Sequence, residues 1–324
     1  MYPRLSDLFL EWFGINLPIN IYSFGFMVAA AVMLAGWLSQ RELDRQYAQG
    51  RIEGVKVDAQ KLDKSARKGK KVLTSPSFLM GTVTVLAVVG GFAGAKLFHI
   101  LENLDQFLAA PMRMIFSSGG FTFYGGLIIG TYLIVRYLKK NGQSPAVFAD
   151  SIAPGLMLGY GVGRIGCHLA GDGDWGIAAD VAAKPDWIPM WLWAETYANN
   201  HLGIDLSAGP VYPTPLYEFA MAGLLFLVLY NLRDQYHRAG WLFGLYLVFA
   251  GVERFIIEQI RVNNTFDILG MTVTQAEVIS VLFLAMGSVI LYRTWRPAAE
   301  REKVKAGFAA TAPDAQASEP QAAG

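Results

Sequence analysis

Residues 159–176 read GYGVGRIGCHLAGDGDWG: seven glycines, an arginine, a histidine and two aspartates at the end of a long apolar segment. A charged side chain at the centre of a bilayer-spanning helix costs about 2.5–3.5 kcal/mol on insertion scales. An arginine at position 164 therefore needs compensation, and an ionisable group inside a span is by default a functional-site candidate. The apolar run preceding the stretch, from about 148, is long enough to span, since a bilayer takes about 20 residues.

Six further stretches of similar length surround it, so the chain reads as spans near 20–38, 79–101, 121–138, 148–169, 213–231, 241–259 and 275–293. Composition agrees: 53% of the 324 residues are hydrophobic and 16% charged, against about 25% charged in soluble domains. The expected fold class is an all-α polytopic membrane protein with about seven transmembrane helices. The first span is not a secretory signal, because acidic and aromatic residues precede it and no small-residue cleavage site follows. The single cysteine, Cys167, excludes an internal disulfide framework. There is no zinc-type Cys/His spacing, and neither a metal nor an organic cofactor is expected. The formal net charge of +1 specifies no partner, and no nucleic-acid partner is expected.

Lysine and arginine set the orientation. The 41–77 loop and the segments after spans 3, 5 and 7 hold 20 of the 27 Lys and Arg; the opposite loops hold Arg4, Arg113, Lys184 and Arg261. The expected topology is N-terminus outside and C-terminus cytoplasmic. Residues 1–19 read as a periplasmic segment with an interfacial amphipathic helix near 5–15. Residues 20–295 read as the transmembrane catalytic domain, with a solvated cytoplasmic loop at 41–77. Within it, 170–212 form a periplasmic head bearing Trp175, Trp187, Trp191 and Trp193. The Ala-, Gln- and Pro-rich tail at 296–324 reads as disordered and cytoplasmic.

This topology puts polar residues from five spans at one depth, in the outer half of the bilayer: Lys96, His99, Glu102, Tyr124, Arg164, Glu218, Glu253, Arg254 and Glu258, with Arg261 just beyond. Arg254 and Glu258 stand i,i+4 and Glu258 and Arg261 i,i+3, so each pair can meet on one helix face. Each feature also has a plain structural reading. An Arg–Glu pair serves equally as glue between helices. Gly155, Gly159 and Gly163 form a small-xxx-small packing stripe. Cys167 is a small buried residue, His99 an interfacial anchor and Asp150 the cap of its own helix. His168 stands one turn from Arg164, with either role open to it. Convergence favours function. Arginine forks match phosphate oxygens and stay charged at any relevant pH. The residues therefore point to a phospholipid headgroup at the outer face, without specifying a reaction.

Gly163-Arg164-Ile165-Gly166 ending in Trp175-Gly176 resembles the signature of bacterial prolipoprotein diacylglyceryl transferases. FTFYGGLIIG (121–130), YPTPLYE (212–218) and ERFIIEQIR (253–261) resemble three further blocks of that family, in order and spacing, within a similarity covering roughly 20–295. The resemblance implies transfer of a diacylglyceryl group from phosphatidylglycerol to the lipobox cysteine of a preprolipoprotein signal peptide, forming a thioether and releasing glycerol phosphate. It implies that Arg164 and Arg254 hold the phosphate, Glu258 orients Arg254 and Glu218 hydrogen-bonds the headgroup. Gly125 and Gly126 would allow close backbone approach. Cationic arginines would lower the thiol pKa and stabilise the leaving phosphate.

The chain departs from the family pattern twice. Many members have histidine before the Gly-Gly of the third-span block, where a general base is proposed; here it is Tyr124. Tyrosine, with a reference pKa near 10, is a poor base at neutral pH, but it can donate a hydrogen bond to phosphate. The family's Gly-Asn-Phe-x-Asn-Gly-Glu run is replaced by a longer run, from Gly166 to Asp174, without the usual asparagines. Three readings follow: His168 supplies the base, the thiol ionises in the arginine field, or the chain takes an altered substrate. Asp172 or Asp174 would replace the family glutamate. The alternative functions are a transporter for an anionic solute and another phospholipid-headgroup protein.

Overall fold

The apolar stretches fold as helices, because a chain without water must satisfy its own backbone hydrogen bonds. A computed structural model describes residues 1–311 other than 17, 19, 63–66, 68, 118, 264, 269 and 270. The elements run α1 (Leu5–Phe13), α2 (Ser23–Ala48), β1 (Val55–Asp58), β2 (Lys71–Thr74), α3 (Met80–Glu102), α4 (Leu104–Ala109), α5 (Pro111–Ile115), α6 (Phe123–Lys140) and α7 (Pro145–Ala170). They continue with α8 (Met190–Trp193), α9 (Thr214–Leu232), α10 (Trp241–Glu258), β3 (Thr265–Ile268), β4 (Met271–Thr274), α11 (Gln275–Thr294) and α12 (Ala298–Thr311). The protein is thus an all-α polytopic membrane protein. Among the described residues five segments are long and apolar enough to cross a membrane: α2, Pro76–Glu102, α7, α9 and α11. The expected third and sixth spans, α6 and α10, are 18-residue helices, each carrying three charged residues.

Three local expectations change. The two antiparallel hairpins, β1–β2 and β3–β4, were not anticipated. In the first, Lys56 opposes Leu73 on the exposed face while Val55 and Val57 are buried, so the 41–77 loop is not uniformly solvated. The tail read as disordered is helical over 298–311: Glu300 and Arg301 donate to the Pro297 carbonyl, and Arg301 Nη1 reaches Gln235 Oε1 at 2.6 Å. Its Ala, Glu, Lys and Arg are good helix formers. Residues 312–324 of that expected tail lie outside the described residues.

The chain sorts into two compact units, 1–38 with 149–304, and 39–148 with the chain after 304. In the second, α3 and α6 meet backbone to backbone. A Cβ added at Gly126 would stand 2.6 Å from the Gly91 carbonyl oxygen, and one at Gly94 3.0 Å from the Gly125 carbonyl carbon. Gly125 and Gly126 therefore serve a helix seam, which only small residues permit. A Gly125→Leu protein should lose stability by about 1–3 kcal/mol or more through overpacking, read as a lower melting temperature in detergent. An unchanged melt would mean that the seam opens freely. Within the same unit Lys96 Nζ donates to Ser117 O, Ser117 Oγ and Gly119 O at 2.7–3.1 Å. Thr122 Oγ1 donates to Glu102 Oε2 at 2.5 Å, and Asn103 Nδ2 to the His99 carbonyl. These polar groups shape the segment after α3.

In the first unit, Ala153, Met157, Ala222, Leu229 and Leu242 join α7, α9 and α10 in one core. The expected stripe on α7 packs at Gly159, where an added Cβ would meet Ala35 at 3.3 Å, but not at Gly163, which faces nothing within 4 Å. Asp150 was expected to cap its own helix. It stands in the second turn of α7 and caps α10 instead, accepting from Gly240 N–H at 2.7 Å and Phe243 N–H at 2.8 Å. An Asp150→Ala protein should therefore be less stable by about 1–2 kcal/mol; a denaturation midpoint equal to the parent's would refute the cap. Residues 171–213 gather around buried Trp175, Tyr197 and Val211, with Met1 and Leu206 against them. The Met1 amino group donates to Ala198 O at 2.6 Å. α1 buries no residue, and Leu10, Trp12 and Phe13 are exposed, as an interfacial helix requires.

Candidate active site

Three helices of the first unit, α7, α9 and α10, and the turn after α7 bring the charges together. Arg164 lies in the last third of α7, Glu218 in the second turn of α9, and Arg254 and Glu258 in the last turns of α10. Gly171 and Gly173 have φ of 60° and 97°, backbone that glycine adopts without strain, so the chain reverses where α7 ends. Thr214 Oγ1 then donates to the Asp174 carbonyl at 2.6 Å, Gly176 N–H to Tyr212 O and Ile177 N–H to Ile260 O at 2.8 Å. These bonds tie the turn between the start of α9 and the end of α10, and so place Asp174 among the arginines.

Glu218 is the hub. Its side chain is 0% exposed, and Oε1 accepts from Tyr160 OH at 2.9 Å and Arg254 Nη1 at 3.3 Å, with ion-pair contacts to Arg164 Nη2 at 3.2 Å and Arg261 Nη1 at 3.8 Å. Arg254 Nη2 also pairs with Glu258 Oε2 at 3.3 Å, the i,i+4 contact expected from spacing. Glu258 Oε1 accepts from Asn263 Nδ2 at 2.7 Å. Asp174 bridges two guanidinium groups, Oδ2 on Arg164 Nη1 and Oδ1 on Arg261 Nη2. Among the described residues three buried atoms of the cluster have no hydrogen-bond partner: Glu258 Oε2, which keeps its ion pair with Arg254, and the pair formed by the acceptor Glu218 Oε2 and the donor Arg261 Nε. A buried polar atom left unpaired costs about 1–3 kcal/mol, so the pair marks places for a ligand's donor and acceptor.

The sequence reading gave one member, Arg261, the wrong partner and missed another, Tyr160. Arg261 was expected to pair with Glu258 at i,i+3, but α10 ends at Glu258, so helical spacing no longer applies and Arg261 turns to Asp174 and Glu218. The Tyr160 hydroxyl stands between Glu218 Oε1 at 2.9 Å and Glu253 Oε1 at 3.1 Å, its one proton serving one carboxylate at a time, with the Arg164 guanidinium 5.0 Å from its ring centroid. Its position four residues before Arg164, on the same helix face, was the available signal. His168 is not in the ion network: Nδ1 lies 3.1 Å from Tyr197 OH and the rings meet edge to face. Tyr124, Gly125 and Gly126 lie on α6, in the other unit.

Of the two aspartates considered as the glutamate replacement, Asp174 holds the arginines. Burial raises its carboxyl, but Arg164 and Arg261 outweigh this and hold it below the usual range. Asp172 moves up instead, first by burial and then by Asp174 beside it. The Asp174 ion pairs therefore contribute stability fully above the ordinary carboxylate pKa of about 4, lost as pH falls through the depressed value. Cys167 Sγ and the two carboxylates lie within 4.8 Å of one another. Both Asp174 oxygens already engage guanidinium groups, and two adjacent cations oppose a third.

The family model for prolipoprotein diacylglyceryl transferase matches residues 12–293. The chain is 28% identical over 300 residues to the phosphatidylglycerol–prolipoprotein diacylglyceryl transferase of Shewanella oneidensis, covering 90% of this chain and 97% of that protein. It is 27% identical over 308 residues to that of Vibrio vulnificus, covering 94% and 96%. To that of Leptospira interrogans it is 30% identical over 204 residues, covering 56% of this chain and 61% of the relative's length. The match lies across every element that carries the arginine cluster, and the chain belongs to the prolipoprotein diacylglyceryl transferase family.

Proposed function

We propose that the chain transfers the diacylglyceryl group of phosphatidylglycerol to the lipobox cysteine thiol of a preprolipoprotein, forming a thioether and releasing glycerol phosphate. The observation that carries this reading is the convergence of Arg164, Arg254 and Arg261 on one buried carboxylate, with an unpaired donor and an unpaired acceptor beside it. The guanidinium groups suit the lipid phosphate, which they can grip bidentately. Glu218 Oε2 suits a hydroxyl of the glycerol headgroup, and Glu258 orients Arg254. The transporter reading is not favoured, because every curated relative named above is a transferase.

The reaction is displacement at carbon. The thiol loses its proton, sulfur attacks the terminal glyceryl carbon, and the carbon–oxygen bond to phosphate breaks. Negative charge then grows on phosphate oxygen. Fixed cations in a water-poor site stabilise that charge more than they stabilise the neutral thiol and diester, which is what lowers a barrier. Tyr124 is kept from the sequence as a candidate hydrogen-bond donor, and Gly125 and Gly126 keep its helix close to α3. His168 is the base proposed from sequence, and His168→Ala tests it directly: normal turnover would remove it from the mechanism. The enzyme is placed in the bacterial inner membrane, with seven spans, a periplasmic N-terminus and a cytoplasmic C-terminus. The test is purified protein with phosphatidylglycerol and a lipobox peptide. A peptide mass increase of one diacylglyceryl group is expected, and its absence with folded protein would refute the transferase reading.

A further inference from the structure

This inference rests on the transferase reading. We propose that Asp174 occupies the phosphate seat of the free enzyme, yields Arg164 and Arg261 to the phosphate of the incoming lipid, and then takes the proton of the substrate thiol. Three observations carry it. First, a carboxylate with one oxygen on each of two guanidinium groups imitates the two non-bridging oxygens of a phosphodiester. A lipid phosphate cannot use the same two forks while Asp174 does. Second, of the acids that touch the arginines Asp174 is more accessible than those on the helices: its side chain is 29% exposed, against 0% for Glu218 and 1% for Glu258. Its backbone is held by Thr214 Oγ1 on the Asp174 carbonyl, so the exchange is a rotation of the Asp174 side chain about its own torsions, with the turn staying in place. Third, the surroundings of Asp174 tolerate sulfur, because Cys167 Sγ lies within 4.8 Å of the Asp172 and Asp174 carboxylates; the substrate thiol approaches from the exposed side of Asp174.

The electrostatics give the exchange its direction. Asp174 is faced by Arg164 and Cys167 from α7, by Asp172 and Tyr197 from the turn and the segment beyond it, and by Arg254 and Arg261 from the end of α10. With its arginines it is a weak base. Once phosphate neutralises them, the like charge of Asp172 remains, and the proton affinity of Asp174 rises. Lipid binding thus produces the base that Tyr124 does not supply. The thiol proton goes to an Asp174 oxygen, the sulfur electron pair forms the bond to the glyceryl carbon, and the carbon–oxygen pair leaves on glycerol phosphate. As that product departs, Asp174 passes its proton to the phosphate monoester or to water and returns to the arginines.

The experiment compares the full-length parent with Asp174→Asn, Asp174→Glu and Asp172→Asn in detergent. Transfer to a lipobox peptide is followed across pH, and phosphatidylglycerol binding by native mass spectrometry. Asp174→Asn is expected to bind phosphatidylglycerol at least as tightly as the parent, since a competing anion is gone. Its turnover should fall on the order of 100-fold or more, the range of a general base, and the acid limb of its kcat profile, which titrates groups of the enzyme–substrate complex, should disappear. Asp174→Glu, which keeps a carboxylate and guards against misfolding of the amide variant, should retain that limb. Asp172→Asn should move the limb to lower pH. Parental turnover in Asp174→Asn, weaker lipid binding there, or an acid limb absent from Asp174→Glu would each overturn the proposal while leaving the transferase reading intact. A parent chain that transfers nothing would overturn the reading itself, and this proposal with it.

Discussion

An Arg164→Ala protein is expected to accumulate in the membrane and to transfer diacylglyceryl at no more than about one-hundredth of the parental rate. Removing one preorganised donor from a site of developing anionic charge typically costs about 10²–10³ in kcat. Arg164 is a strong case because its Nη1 and Nη2 reach two carboxylates on different elements, Asp174 and Glu218. Insertion should survive, since α7 keeps its apolar run and its packing at Gly159 and Gly161 against Ala35 and Ala222. Arg164→Lys should fall between the two: it restores a charge but not the fork, and a single ammonium cannot hold Asp174 and Glu218 as two nitrogens do. Transfer assayed with membranes adjusted to equal protein decides the matter. A rate within threefold of the parent would place the phosphate elsewhere.

Glu218→Leu is expected to be the most destabilising single change in the cluster, by about 3–5 kcal/mol. The leucine would leave Arg164, Arg254 and Arg261 around one position, where Oε1 now serves all three. Removing one partner of a buried ionic network is costly because the remaining charges stay desolvated and now repel. Tyr160 would also lose an acceptor. Glu218→Gln should be milder in stability, because an amide oxygen still accepts from Tyr160 and the arginines. Its activity should still drop, because the acceptor at Oε2 becomes a donor facing the headgroup. Melting of the purified proteins, with and without phosphatidylglycerol, separates these cases. Equal melting temperatures for the parent and Glu218→Leu would show that the arginines find other counter-ions.

Much of the fold was legible because the membrane makes the code simple. Spans must be about 20 residues of apolar chain, and the helices of 241–258, 214–232 and 275–294 fall close to the expected bounds. The hairpins were not legible. Val55–Asp58 and Lys71–Thr74 are only four residues each, and a run that short carries too little periodicity to tell strand from loop. Asp150 was misread for a related reason: capping was sought on the nearest helix, whereas its oxygens meet an N-terminus 90 residues away.

Sequence by itself determined the membrane class, the family blocks, and the local pair Arg254–Glu258, because helical spacing fixes which side chains share a face. It also marked Arg164, since an arginine in an apolar helix cannot be neutral decoration. Only the tertiary structure decided which carboxylate sits on which guanidinium. It chose Asp174 over Asp172, brought Arg261 from beyond the end of α10, and moved His168 away to Tyr197. Those choices depend on how the 171–176 turn is tied between α9 and α10. Such ties are backbone bonds between segments far apart in sequence, and no local pattern encodes them.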